Sequence, residues 1–211
     1  METSAHTVLV TVHDREGRAM FDAIVLAGGA AARLDGADKP ALLIGASSMF
    51  ERVLDAVSDA GRIVVVGPQR PTHRHLIWCV EQPPGSGPLA ALAAGVHQVH
   101  SEVVLVLAAD LPWIGSAVPR LVAAVAEDPV SDCAVLVAAG RRNYLAAAWR
   151  RTGLLRALAS IPDVHGGAMR QLYAAARTID VNDDDGAGRD CDTWTDIQQA
   201  RERAETTEET S

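Results

Sequence analysis

Two hydrophobic patterns alternate along the chain. Nearly uninterrupted apolar runs occur at residues 21–27, 62–67 and 102–110. Between them lie longer stretches whose apolar residues recur every three or four positions. The first pattern is typical of strands buried on both faces of a sheet, and the second of helices that cover such a sheet. Together they predict a parallel sheet between two layers of helices.

Further elements follow from the same two patterns. The helical periodicity predicts helices over residues 48–61, 87–100, 114–128, 152–161, 167–176 and 193–204. Shorter apolar or β-rich runs predict strands at 76–81, 132–139, 143–150 and 176–181, the middle two forming a pair around Gly140. The predicted fold class is therefore α/β: a single-domain, Rossmann-like, mostly parallel sheet flanked by helices on both faces.

The length of the chain fits one domain. Its 211 residues allow a core that needs no disulfide or metal. We expect an N-terminal extension at 1–20, a single domain at 21–204 and a polar tail at 205–211. A short edge strand at 7–12 is the alternative for the extension.

Composition excludes several classes of protein. A net charge of −8 argues against a nucleic-acid binder. The three cysteines form no CxxC pair, which favours a reduced cytoplasmic setting over a zinc site or a disulfide framework. The sequence has no apolar run close to the ~20 residues of a membrane span and no pattern of a signal peptide. We therefore expect a cytoplasmic protein without nucleic-acid or membrane partners.

Two adjacent glycines, Gly28 and Gly29, follow the first predicted strand. Ligands of open parallel sheets bind at the carboxyl ends of strands, where glycine lets the backbone approach an anion. Arg33 and Lys39 add positive charge to the same segment, so a triphosphate is the expected ligand. The spacing fits neither a Walker A loop nor the GxGxxG fingerprint. A tight turn without a ligand is the alternative.

This segment, "LAGGAAARLDGADKPAL", resembles the nucleotide loop of nucleotidyltransferases related to molybdenum cofactor guanylyltransferase (MobA-like). The residues that match this loop in register are Leu26, Ala27, Gly28, Gly29, Arg33, Gly36, Asp38 and Lys39. Two positions depart from the family pattern. Ala32 stands where the family often has a second arginine, and Asp35 replaces a glycine.

Four later segments also resemble this family, in its order. They are "EQPPGSGPLAALAAGV" (81–96), "VLVLAADLPWI" (104–114), "NYLAAAWR" (143–150) and "DCDTWTDIQQA" (190–200). The resemblance covers residues 22–203.

The resemblance implies a Mg²⁺-dependent transfer of GMP from GTP to the phosphate of molybdopterin, with release of pyrophosphate. GTP and molybdopterin would be the substrates, and molybdoenzymes or proteins of the cofactor pathway are candidate partners. Cytidylyl transfer, another nucleotidyl transfer, or a nucleotide-binding module that has lost catalysis remain alternatives. Nucleobase specificity does not follow from these motifs.

The resemblance also implies roles for individual residues. Nucleotide binding falls to Leu26, Ala27, Gly28, Gly29, Arg33, Lys39, Gly87, Pro88 and Asp110. Catalysis falls to Arg33, Lys39 and Asp110, and the metal to Asp110 and Asp192. Candidates for binding the acceptor are Arg141, Arg142, Asn143 and Arg170, and the three arginines are candidates for its phosphate.

Overall fold

The computed structural model describes residues 21–28 and 37–208. Its strands are β1 (Phe21–Leu26), β2 (Leu43–Ile44), β3 (Ser47–Ser48), β4 (Ile63–Val66), β5 (Ile77–Cys79), β6 (Val103–Ala108), β7 (Cys133–Ala138), β8 (Arg141–Arg150) and β9 (Thr178–Asn182). Its α-helices are α1 (Met49–Ala56), α2 (Pro88–Gly95), α3 (Val118–Glu127), α4 (Arg151–Ala159) and α5 (Trp194–Glu208). The predicted extension, residues 1–20, lies outside the described residues.

Seven of the described strands form one sheet in the order β5-β4-β1-β6-β8-β7-β9. All neighbours pair in parallel except β8, which is antiparallel to both β6 and β7. The mostly parallel α/β sheet expected from the apolar runs is confirmed. β7 and β8 form the expected pair, joined by Ala139 and Gly140, which both have positive φ angles.

The core lies in two layers, one on each face of the sheet. One face is covered by α1 and α3, with Phe50 and Leu121 fully buried against it. The other face is covered by α2 and α4, with Leu92 and Leu154 buried there. The uninterrupted apolar runs follow directly from this arrangement, because β1 and β6 bury every residue on both faces.

A third, smaller core holds α5 outside the main sheet. It joins the two-stranded β2–β3 ribbon and the start of α1 to residues of the C-terminal segment. Its buried members are Ile44, Met49, Cys191, Ile197, Ala200 and Ala204. The C-terminal segment is therefore anchored beside the ribbon that follows residues 39–41.

Several predicted helix bounds were wrong. The helix predicted over 167–176 is a 3₁₀ helix at Met169–Tyr173, because Gly167 packs against Leu89 and the backbone at Ala168 is extended. The helix predicted over 48–61 ends at Ala56, after which the chain turns and Gly61 hydrogen-bonds to Phe21. The last helix continues to Glu208, so the first four residues of the predicted polar tail are helical.

Candidate active site

The carboxyl ends of β1, β4 and β6 meet at one edge of the sheet, and main-chain hydrogen bonds hold them together. Ala27 donates to the carbonyl of Val66 over 2.8 Å, and Ala109 donates to the carbonyl of Leu26 over 3.0 Å. Leu26 and Ala27 are buried, whereas Gly28 is exposed. The backbone therefore carries Gly28 out of the core at the edge of the sheet.

Gly67, at the end of β4, makes the close approach of these strands possible. Its φ angle is +143°, and a Cβ placed on it would lie 2.7 Å from the backbone of Ala27 and Gly28. No larger residue fits there without moving the strand that leads into the glycine segment. Sequence reasoning missed Gly67, because a glycine after a strand is common and the contact joins residues 40 positions apart.

Lys39 lies between two carboxylates at the same edge. Its Nζ donates to Asp110 Oδ2 over 2.5 Å and to Asp192 Oδ1 over 2.5 Å. Asp110 follows β6, and Asp192 precedes α5. We call these three residues the lysine–aspartate cluster. All three are predicted site residues. The structure thus brings Lys39 together with Asp110, 71 positions away in the sequence, and with Asp192, 153 positions away.

The cluster changes the pKa values of its members and neighbours. Burial lowers the pKa of Lys39, but the charges of Asp110 and Asp192 and the hydrogen bonds to them outweigh burial, so its pKa lies above 10.5. Desolvation raises the pKa of Asp190, and the carboxylates of Asp192 and Asp110 raise it further. Lys39 therefore stays charged at neutral pH, in a locally acidic environment.

The donor set of the cluster suits a hard divalent cation. Two carboxylate oxygens already converge on one cationic atom, and Mg²⁺ prefers such oxygen ligands. Among the described residues, no group of three histidines, cysteines or acidic residues forms a metal site. Asp110 and Asp192 would thus supply two protein ligands, and water or phosphate oxygens would have to supply the rest.

The predicted nucleotide segment around Gly87 is an ordered loop ahead of α2. Glu81 is buried, and its carboxylate accepts a hydrogen bond from the backbone of Gly85 over 2.8 Å. Gly166 donates to the carbonyl of Ser86 over 2.7 Å, which ties the loop to a second one. Gly87 has a φ angle of +91°, and Pro88 begins the helix.

A groove of about 720 Å³ lies at this edge and reaches the neighbourhood of the cluster. We call it the arginine groove. Its lining comprises Pro88, Ala138, Arg141, Arg142, Asn143, Tyr144, Leu145, Met169, Asp183, Gly186, Gly188, Arg189 and Asp190. Its volume lies within the range of small-molecule sites.

Three of the four residues predicted to bind the acceptor substrate line this groove. Arg142 is paired with Asp180 over 2.7 Å, and Asn143 donates to the carbonyl of Gly188 over 2.8 Å. Arg141 is exposed in the groove, whereas Arg170 is exposed on the 3₁₀ helix and is not part of the lining. Arg189 also lines the groove, and no pattern in the sequence singled it out.

Two predicted nucleotide residues, Gly29 and Arg33, lie outside the described residues, as do Ala32 and Asp35. Their roles stay predictions. At the end of this segment, Asp38 is held by Arg70, whose Nε and Nη2 donate to its two oxygens over 2.9 and 2.6 Å. Sequence reasoning missed Arg70, because nothing local marks the loop after β4.

This fold and edge site define an α/β protein with a cluster of charged side chains at the carboxyl ends of its parallel strands. Residues 23–179 match the model of the MobA-like NTP transferase domain, and the chain belongs to that family. The matched residues include Lys39 and Asp110 but end before Asp192. The family expected from the glycine segment is therefore confirmed.

Two curated relatives carry the same name. The molybdenum cofactor guanylyltransferase of Shewanella baltica is 29% identical over 115 residues, which are 51% of this chain and 59% of that protein. The enzyme of the same name from Burkholderia lata is 25% identical over 188 residues, covering 82% of this chain and 92% of the relative. The match to the first relative thus spans little more than half of its length.

Solved structures share the fold over most of the chain. A nucleotidyl transferase from Methanothermobacter has a TM-score of 0.71 at 19% identity, covering 89% of this chain and 99% of that one. Molybdopterin-guanine dinucleotide biosynthesis protein A from Archaeoglobus fulgidus has a TM-score of 0.66 at 16% identity, covering 88% and 99%. A cytidylyltransferase acting on 2-C-methyl-D-erythritol 4-phosphate, from Thermus thermophilus, has a TM-score of 0.67 at 17% identity, covering 86% and 98%.

In the part of the chain that the structure describes, every helix is too short or too polar to cross a bilayer.

Proposed function

We propose that the protein transfers GMP from Mg²⁺-bound GTP to the phosphate of molybdopterin and releases pyrophosphate. The observation that carries this proposal is the lysine–aspartate cluster, which lies at the strand ends of a MobA-like domain. The names of the curated relatives support the choice of GTP and molybdopterin.

The triphosphate would lie over the carboxyl end of β1. The backbone at Gly28 and Gly29 would approach the phosphates, and the Gly87–Pro88 loop would border the nucleoside. Lys39 and Arg33 would contribute positive charge. Removing one such charge-stabilising donor costs about a hundredfold in rate in other enzymes.

Asp110 and Asp192 would hold the metal. Bound Mg²⁺ supplies positive charge that neutralises phosphate oxygens and favours departure of pyrophosphate. The protein's task is to orient these carboxylates, and the strand end of β6 and the anchored C-terminal segment do so. Magnesium as the particular metal is part of the proposal.

The acceptor would bind in the arginine groove, beside the cluster. An oxygen of its phosphate attacks the α-phosphorus of GTP, and the bond from that phosphorus to the bridging oxygen of pyrophosphate breaks. A phosphate monoester is mostly dianionic at pH 7, since its second pKa is about 6, so no general base is needed. The main barrier is repulsion between two anions, which positive charge and positioning lower.

The test combines the purified protein with Mg²⁺, molybdopterin and each nucleoside triphosphate in turn, and measures pyrophosphate. Release that requires both GTP and acceptor is the expected result. Release with CTP instead would replace the proposal by cytidylyl transfer. Binding of a nucleotide without release of pyrophosphate would identify a binding module and reject the enzyme.

A further inference from the structure

Lys39 occupies the point on which the two carboxylates proposed as metal ligands converge. Its Nζ is 2.5 Å from Asp110 and 2.5 Å from Asp192, and only 14% of its side chain is exposed. A divalent cation bound by the same two oxygens would have to lie close to that point. Two cations cannot share it, because their atoms would overlap and their charges would repel at short range.

The residue type at this position is unusual for the chain. Of 19 lysine and arginine residues, Lys39 is the only lysine. Arginine has a rigid fork that favours fixed, bidentate pairing, whereas lysine is a compact charge on a flexible stem. Arg70 and Asp38 show the fixed kind of pair one residue away. A cationic side chain that exchanges partners has to move, and the flexible lysine suits this better than the rigid arginine.

From these observations we infer that Lys39 and the divalent metal exchange at the Asp110–Asp192 pair. While it is paired with both carboxylates, Lys39 is withheld from the phosphates. With Asp110 and Asp192 holding a metal instead, the lysine would be free to turn towards the nucleotide. The exchange rests on the proposed function and deepens it: the cluster would favour a metal–nucleotide complex over free nucleotide, because free nucleotide meets a lysine that is already paired.

The first test follows the reactivity of Lys39 in the unaltered protein. N-hydroxysuccinimidyl acetate acetylates amines, and mass spectrometry follows Lys39 alone because the sequence has no other lysine. The amino terminus serves as the internal reference. We expect Mg²⁺, without nucleotide, to accelerate acetylation of Lys39 about tenfold relative to that reference, within the usual range of coupling between two ligands. An unchanged or slower rate with saturating Mg²⁺ would overturn the exchange.

The second test measures metal binding directly. Mn²⁺ stands in for Mg²⁺, and electron paramagnetic resonance reports the free ion in the absence of nucleotide. Lys39→Met should bind Mn²⁺ about tenfold more tightly than the unaltered protein, since the competing cation is gone. Equal or weaker binding by a folded Lys39→Met protein would contradict the proposal.

Arg62→Met is the matched control for charge. Arg62 is exposed just before β4, at the opposite edge of the sheet, and its guanidinium hydrogen-bonds only to the carbonyl of Gln98 among the described contacts. Arg62→Met removes one positive charge far from the cluster. The affinity for Mn²⁺ should therefore change by less than about twofold once salt screens the change in net charge. An equal gain in both variants would attribute the effect to net charge and reject the exchange. Neither test contains GTP or acceptor, so failure of the exchange is distinguishable from failure of GMP transfer.

Discussion

Arg70 holds Asp38 through both edges of the carboxylate, and this pair lies one residue before Lys39. The side chain of Arg70 is 11% exposed, and its third nitrogen donates to the carbonyl of Pro68 over 3.1 Å. Two parallel hydrogen bonds fix orientation as well as distance. The pair therefore joins the end of the glycine segment to the loop after β4, directly beside Lys39.

Arg70→Gln should lower kcat more than it raises the KM for GTP. Glutamine keeps part of the hydrogen bonding but loses the charge and the bidentate geometry, so Lys39 is held less well. We expect a loss of about tenfold in kcat, in the range of misplaced positioning groups. Steady-state pyrophosphate release checks this. A change in KM alone, or none, would reject Arg70 as a positioning residue.

Asp110→Ala should abolish Mg²⁺-dependent pyrophosphate release while the fold is kept. Asp110 is only partly buried at a strand end, so its loss opens no cavity in the core. Rates should fall at least about a hundredfold, and Asp192→Asn should have a smaller effect if Asp192 is the secondary ligand. Asp55→Ala, which removes an exposed carboxylate paired with Arg74, is the control. Near-normal Mg²⁺-dependent release by Asp110→Ala would contradict the assignment.

Gly67→Ala should impair both stability and nucleotide binding. The added methyl group would lie 2.7 Å from the backbone of Ala27 and Gly28, so the two strand ends must separate. We expect a loss of about 3 kcal/mol in the free energy of unfolding, as for other overpacked sites. Urea denaturation and calorimetric titration with GTP check the two effects.

Gly140→Ala is the comparison for that substitution. Gly140 also has a positive φ angle, +74°, but a Cβ placed on it would meet nothing within 4 Å. It should cost only about 1 kcal/mol of backbone strain and leave GTP binding unchanged. Equal losses in the two variants would mean that backbone strain, and not the contact with β1, explains the effect.

Substitutions in the arginine groove should affect the acceptor and not the nucleotide. Arg141 and Arg189 line the groove, and among the described residues neither forms a salt bridge like the one that holds Arg142 to Asp180, so both are expected to meet an anionic acceptor. Arg141→Ala and Arg189→Ala should each raise the KM for molybdopterin about tenfold, the value of one charged hydrogen bond. Arg170 was predicted from the sequence to bind the acceptor, but it lies outside the lining of the groove. Arg170→Ala therefore tests the sequence-based choice of acceptor residues against the structure-based one. A rise in KM for GTP instead would assign the groove to the nucleotide.

Asp132→Asn should destabilise the protein at pH 5 and above, and progressively less below pH 3.8. Burial raises the pKa of Asp132, but hydrogen bonds from the backbone of Arg177 (2.9 Å) and from Arg156 (2.5 Å), with their charges, bring it below 3.8. A carboxyl whose pKa is lowered by folding stabilises the fold at pH values above its pKa in the unfolded state. This contribution is lost as the pH falls through the pKa of the folded state. The variant should lose about 2 kcal/mol at pH 7 and pH 5.

Below pH 3.8 the difference should shrink, because protonation removes the same charge from the native residue. Urea denaturation across this range is the measurement. A difference that stays constant down to pH 3 would show that the loss comes from packing.

Local patterns predicted the sheet well because β1 and β6 are buried on both faces and carry no polar residue that would obscure them, apart from Asp22. Asp22 is satisfied by the backbone of His100 and Ser101. The approximate site also followed, since strand ends of parallel sheets meet at one edge. The predicted helix at 167–176 was wrong because its apolar spacing is helical, whereas the tight packing of Gly167 against Leu89 delays the helix.

Long-range contacts could not be predicted in this way. Arg70 lies in a loop whose local sequence has no distinctive pattern, and Arg189 lies just outside the family-like segment 190–200. The relevance of both arginines depends on which loops the fold brings together. The same holds for the meeting of Lys39 with Asp192, which are 153 positions apart. The family resemblance assigned both residues to one site, but not to one salt-bridged cluster.

The separate small core beneath α5 gives the two carboxylates of the cluster unequal resistance to opening. Asp110 follows a central strand, so displacing it from the site requires opening the main sheet. Asp192 is carried by a segment whose six-residue core lies outside that sheet, and it can detach by a local, sub-global opening at lower free energy. Amides of α5 should therefore exchange with deuterium sooner than those of β6. Catalytic competence would then be lost on heating before the sheet melts, with the C-terminal segment acting as the thermal weak point of the site.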